Sequence, residues 1–198
     1  MRSRYEAINC WRKRIIAMTP GEELVVVRLG HRPGRDDRIT THVGLTARAL
    51  GADRFVLVGT HTDPLDQIDD VTARFGGSFS TETADSFQQF RNDWGGHIIH
   101  LTMYGLPVQE EIESITTEVG HGPVAVVVGA EKVPFSVYES ADWNIAITNQ
   151  PHSEVASVAI CLRELLGPAS LTVPFHGGTH QVRPRALGKE VDTGDDAP

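Results

Sequence analysis

Two hydrophobic rhythms alternate along the chain. Short apolar runs at Leu24–Leu29, Arg54–Val58, Gly96–Leu101, Val124–Val128 and Asn144–Thr148 read as strands. Leu24–Val27 and Val124–Val128 are apolar without interruption, as a central parallel strand covered on both faces requires. Between the runs, apolar residues return every three or four positions, predicting helices over Asp37–Leu50, Pro64–Arg74, Val108–Val119 and His152–Leu166. In the last of these Val155, Val158, Ala159, Leu162, Leu165 and Leu166 share a face, with Pro151 at a first helical position and Gly167 as a stop. Alternation of strand and helix predicts an α/β fold: an open, mostly parallel sheet with helices on both faces. A short strand or hairpin is expected around Leu171–Pro184.

Composition narrows the class. With 198 residues, 40% hydrophobic and 22% charged, the chain is long enough for one globular core without disulfide or metal staples, and it is neither disordered nor collagen-like. No run approaches the roughly 18 apolar residues of a membrane span. Arg12, Lys13 and Arg14 interrupt the apolar stretch near the N-terminus, so no signal peptide is expected. Cys10 and Cys161 fit no metal spacing, and a reduced, cytoplasmic protein follows as the default. Residues 1–22 read as an N-terminal extension, 23–190 as the domain and 191–198 as a flexible acidic tail.

The net charge of −8 argues against a polyanionic partner, but its distribution does not. Residues 1–48 hold ten of the 18 basic side chains and five of the 26 acidic ones. A basic segment on an acidic body can still grip phosphates locally. A second basic cluster, Arg183, Arg185 and Lys189, lies near the C-terminus.

In open α/β sheets ligands bind beyond the carboxyl ends of the strands, and four such segments carry unusual residues. The first, Gly30 to His42, crowds Arg32, Arg35 and Arg38 behind Arg28, together with two histidines and two threonines. It either holds phosphates through guanidinium forks or pairs its arginines with Asp36 and Asp37 at a helix start. Gly44 within the predicted helix suggests close approach of another backbone. The second, Gly129-Ala130-Glu131-Lys132-Val133-Pro134, is small enough for a ligand to reach its peptide groups, or is simply a tight turn. The third, Asn149-Gln150-Pro151-His152-Ser153-Glu154, runs into the strongest helix and either receives an anion or caps it. The fourth, His100 to Gly105, ends another strand. No GxGxxG, Walker loop or GxSxG elbow is present in the sequence. His176 and His180 offer two imidazoles with no evident third ligand, so no metal is expected.

Taken together, Arg28-Leu29-Gly30-His31-Arg32-Pro33 with Arg38-Ile39-Thr40-Thr41-His42-Val43, His100 to Gly105, Gly129 to Pro134 and Asn149 to Glu154 resemble the archaeal tRNA ribose 2′-O-methyltransferases of T-loop cytidine 56, members of the SPOUT class. The resemblance spans about Leu24 to Lys189. It implies a SPOUT-type sheet with a C-terminal trefoil knot, a homodimer, a tRNA substrate and S-adenosylmethionine bound in each knot. By motif match Leu101, then Gly129, Ala130, Glu131, Lys132 and Val133, then Ile147, Thr148, Asn149, Gln150, Pro151, His152, Ser153 and Glu154 would line the cofactor site. Arg28, Arg32 and Arg35 would contact RNA. A carboxylate stabilising the sulfonium would oppose its loss of charge, so Glu131 and Glu154 are expected to bind polar groups or shape the loop.

The resemblance also implies a catalytic arginine in the first segment, best matched by Arg38, with register among Arg32, Arg35 and Arg38 open. A guanidinium is a poor base and better suited to polarising the hydroxyl. His42, one turn along the predicted helix, is the contending base. Other readings are methylation at another RNA position, non-catalytic RNA binding through the basic segment, and metal-dependent hydrolysis by the scattered histidines.

Overall fold

The computed structural model describes residues 23–129 and 132–194; the extension at 1–22, Ala130, Glu131 and residues 195–198 lie outside them. Six parallel strands form one sheet: β1 (Leu24–Leu29), β2 (Arg54–Val58), β3 (Ser80–Ala84), β4 (His97–Pro107), β5 (Val124–Gly129) and β6 (Trp143–Ala146), in the order β3-β2-β1-β5-β4-β6. β1 sits at the centre, with Val26 opposite Phe55 on one side and Val126 on the other. Because both edges of β1 and β5 are paired and both faces covered, Val25, Val26, Val27 and Val124 to Val127 are all fully buried. That is why these runs are apolar throughout rather than alternating.

Successive side chains serve different cores. Val26, Leu57, Ile99 and Val126 face α1 (Asp37–Ala49), α2 (Asp63–Phe75), α4 (Val108–Val119) and α6 (Glu154–Leu166). Val25, Val27, Val56, Ile98 and Val127 face the short α3 (Phe87–Asp93) and α5 (Phe135–Ser140). Helices thus cover both faces of an all-parallel sheet. No helix among the described residues is long and apolar enough to cross a membrane.

Several boundaries differ from the periodicity. β3, Ser-Thr-Glu-Thr-Ala, is a polar edge strand with one buried residue, and α3 and α5 have one buried residue each, so neither rhythm registers them. β4 runs on to Pro107 through an irregularity between Leu101 and Leu106. β6 ends at Ala146, not Thr148. α6 begins at Glu154: Pro151 lies ahead of the cap, and Ser153 Oγ accepts the Val155 N–H. Gly44 makes room for a side chain rather than a backbone, since a Cβ there would meet Ile68 Cδ1 at 2.3 Å.

The C-terminal hairpin pairs β7 (His180–Arg183), inside the expected span, with β8 (Glu190–Thr193), beyond it, and Gly167–Leu171 is a 3-10 turn. Val191–Thr193 is a strand, held because Arg183 Nε donates to Asp192 Oδ2 at 2.6 Å and Arg185 pairs with Glu190. Those two arginines of the second basic cluster are thereby engaged. The two glycines between His176 and His180 have different reasons: a Cβ on Gly178 would lie 2.4 Å from the Gly76 nitrogen, against the end of α2, whereas Gly177 has open space around it and a φ of +80°.

Candidate functional site

All six strands of the main sheet being parallel, the segments after β1, β5 and β6 and the far end of β4 lie on one rim. There the ends of β4 and β5, the turn after β5 and the segment leading into α6 enclose a cavity of 690 Å³, within the usual range for a small-molecule site. Leu101, Val128, Val133 and Ile147 give it apolar walls, Gly129 exposes peptide groups, and Pro151, His152, Glu154 and Ser157 close the side at the start of α6. A second cavity of 520 Å³ lies under the β1 segment, lined by Gly30, His31, Arg32, Asp85, Ser86 and Gln88. Gly129, Lys132 and Val133 belong to both walls, so one short segment divides the two spaces.

The cavity suits an amphipathic nucleoside. Its floor contributes apolar contact and peptide edges, and buried His100, also in the wall, has no hydrogen-bond partner for Nε2. The tautomer of His100 follows from its neighbours. Asn144 Nδ2 donates to the Tyr138 carbonyl at 3.0 Å, which turns Asn144 Oδ1 toward His100 Nδ1 at 2.8 Å. Nδ1 therefore carries the proton and Nε2 is an acceptor. Burial holds the pKa of His100 below its ordinary value. Tyr138 packs edge-on against the same ring, 4.6 Å between centroids.

Of the expected cofactor residues, Leu101, Gly129, Lys132, Val133, Ile147, Pro151, His152 and Glu154 line this cavity. Ala130 and Glu131 fall outside the described residues. Thr148, Asn149, Gln150 and Ser153 do not line it. Thr148 and Gln150 are exposed, and Ser153 caps α6. Asn149 instead clamps the wall, donating from Nδ2 to the carbonyls of Met103 (2.8 Å) and Gly105 (3.1 Å) on the β4 extension. His100, Thr102, Met103 and Tyr104 of the fourth segment also stand in the wall, although only Leu101 of that segment was expected at the cofactor, and Val128, Phe135, Tyr138 and Ser157 join them without having been expected there. The run from His100 to Gly105 after a strand was the available signal; Phe135 and Tyr138 had none.

The arginines of the first segment separate by burial. Arg28 is 1% exposed and donates to Glu154 Oε2 (2.8 Å), Thr40 Oγ1 (2.7 Å) and the Gly30 carbonyl (2.7 Å). Expected among the RNA contacts, it is instead spent inside the protein. Arg32 is bound to Asp36 through Nε and an NH2 nitrogen, both at 2.9 Å, and these bonds hold the Asp36 carboxyl down at about 2. Arg35, Arg38 and His42 are exposed, and their side chains make no hydrogen bond or ion pair among the described residues. Arg38 and His42 stand one turn apart on α1, outside the walls of both cavities.

This six-stranded parallel sheet flanked by helices is the fold of SpoU methyltransferases. The chain matches the SpoU methyltransferase AviRb from Streptomyces viridochromogenes, solved in complex with AdoMet, at a TM-score of 0.53 over 75% of this chain and 58% of that one, with 15% identity. A family model described as tRNA ribose 2′-O-methyltransferase, aTrm56, matches residues 75–192. The tRNA (cytidine(56)-2′-O)-methyltransferase of Natronomonas pharaonis is 50% identical over 174 residues, 88% of this chain and 97% of that protein. The enzyme of the same name from Haloquadratum walsbyi is 50% identical over 170 residues, 85% and 88% of the two chains. The chain belongs to the aTrm56 family of tRNA ribose 2′-O-methyltransferases.

Proposed function

We propose that this protein transfers a methyl group from S-adenosylmethionine to the ribose 2′-hydroxyl of cytidine 56 in the tRNA T-loop. The observation that carries the reading is the convergence of β4 residues His100 to Tyr104 with the segments after β5 and β6 on one 690 Å³ cavity; the substrate is carried over from relatives of that name, one of them covered over 97% of its length. When bound, S-adenosylmethionine supplies a methyl group made electrophilic by a sulfonium. Leu101, Val128, Val133 and Ile147 hold the adenosine and exclude water from it. Gly129 and its neighbouring turn provide peptide groups for hydrogen bonding, with Ala130 and Glu131 as further ligands. Pro151, His152 and the positive end of α6 favour the amino-acid carboxylate.

Arg38 orients the acceptor ribose and polarises its hydroxyl, Arg35 binds an RNA phosphate, and His42 takes up the proton. Because Arg38 and His42 lie outside the cavity walls of their own subunit, we place them at a site completed by a second copy. The working unit is then a homodimer, each chain closing its cofactor loop as a trefoil knot, acting on tRNA in the cytoplasm. Incubating the protein with labelled S-adenosylmethionine and unmodified tRNA, followed by nucleoside mapping, tests this. Label at the 2′-oxygen of cytidine 56 is expected; label at another nucleotide, or none, would refute it.

A further inference from the structure

Arg28 leads the fully buried side chains in volume among the described residues. A guanidinium so placed needs a compensating charge. Asp36 approaches to 3.9 Å but already accepts two bonds from the Arg32 side chain and one from its backbone N–H. Glu154 is the close partner, with Arg28 Nε on Oε2 at 2.8 Å and an NH2 nitrogen 3.5 Å from Oε1. Glu154 is also the one carboxylate among the described residues of the cavity wall, where the other titratable side chains are His100, Lys132, His152 and two tyrosines. A single ion pair thus joins a buried cation on β1 to the acidic group beside the cofactor space.

We infer that Arg28 is a positioning residue for methyl transfer: it holds and neutralises Glu154, so that the cavity does not present a bare carboxylate to a sulfonium. This rests on the reading that the cavity takes S-adenosylmethionine. In the transfer the S–CH3 bond breaks with its electron pair left on sulfur, an O–CH3 bond forms from a ribose oxygen pair, and the hydroxyl proton goes to the base. The positive charge on sulfur disappears on the way. An unpaired carboxylate nearby stabilises the charged reactant more than the transition state, which tightens binding and slows reaction. With Arg28 in place, the pair carries no net charge and its carboxylate faces the guanidinium.

The test is calorimetric titration of the full chain with S-adenosylmethionine and with S-adenosylhomocysteine, which differ by one methyl group and one charge. Arg28→Gln should shift the affinity ratio toward S-adenosylmethionine by roughly tenfold, the scale of one unit charge across a partly desolvated site. Arg28→Lys should hold the ratio within about twofold, under half a kcal/mol. The double variant Arg28→Gln/Glu154→Gln should return to the wild-type ratio. Equal weakening of both ligands by Arg28→Gln would make Arg28 a structural brace and overturn the inference. Should Arg28→Gln fail to fold, Glu154→Gln decides: it leaves an excess positive charge and should move the ratio the other way, and no movement overturns the inference. A wild-type chain that bound neither ligand would instead refute the reading of the cavity.

Discussion

The Asp36 carboxylate receives Arg32 at both oxygens, 2.9 Å each, while its backbone sits at the entry to α1. This fork stiffens the segment ahead of Arg38. Replacing Asp36 by Asn should cost about 1–3 kcal/mol, as for hydrogen bonds to charged groups. The pH dependence has a definite sign. The folded carboxyl is held at about 2 against an ordinary 3.8, chiefly by the Arg32 hydrogen bond. The stabilisation is therefore complete above the ordinary value and lost as pH falls from there toward about 2. Thermal melts of wild type and Asp36→Asn should differ at neutral pH and converge on acidification; a gap that persists at low pH contradicts the assignment.

Arg38→Ala should lower single-turnover methylation by about 10²–10⁴ while leaving S-adenosylmethionine affinity unchanged, because Arg38 lies outside the cavity wall. His42→Ala should likewise slow single-turnover methylation and spare S-adenosylmethionine affinity, because His42 also lies outside the cavity wall. Unchanged turnover in Arg38→Ala removes that residue from the chemistry.

Asn149 acts at one remove from the ligand. Asn149→Ala frees the Met103 and Gly105 carbonyls, both partly exposed, so little stability is lost, about 1 kcal/mol. The KM for S-adenosylmethionine should rise more than kcat falls, since the β4 extension walls the cavity. Steady-state kinetics with saturating tRNA would show the opposite split if Asn149 touched the reacting atoms.

Two glycines should respond differently to alanine. At Gly44 the new methyl meets the end of the Ile68 side chain, which is buried but can rotate, while at Gly105 it would lie 2.4 Å from the Asn144 carbonyl oxygen on β6. Gly44→Ala should cost about 1–2 kcal/mol, overpacking offset in part by helix propensity. Gly105→Ala should cost more and loosen cofactor binding. Equal denaturation midpoints for the two would contradict the packing.

Cys161 is fully shielded, and burial, aided by Glu164, pushes its thiol up to about 12. Thiolate, the reactive form, is then scarce at neutral pH. Peptide mapping after treatment with a thiol reagent should find Cys161 unmodified in the native protein and modified in denaturant.

Much of the fold was legible because burial on both faces leaves a plain mark. β1 and β2 fall where the apolar runs predict, and α4 spans Val108–Val119 as its period requires. β3 was not legible because an edge strand exposed to water needs no apolar pattern. The rim was legible in outline, since glycine and proline segments after strands mark where chain leaves a sheet. Side-chain fate was not. Arg28, Arg32, Arg35 and Arg38 look alike in a basic run, yet Arg28 answers to Glu154, 126 residues further on, and Arg32 to Asp36 four residues away. No local rule tells a guanidinium committed to the interior from one left for a substrate.

The strand order also dictates a timetable for synthesis. β1 is flanked by β2, its near neighbour in the chain, and by β5, which begins only at Val124. As the polypeptide leaves the ribosome, the all-valine stretch of β1 must wait with one side unpaired, an invitation to wrong partners. Nascent chains halted before Val124 should bind chaperones or precipitate, whereas chains extending past Leu166, with β5 seated and α6 laid across it, should be released in folded form.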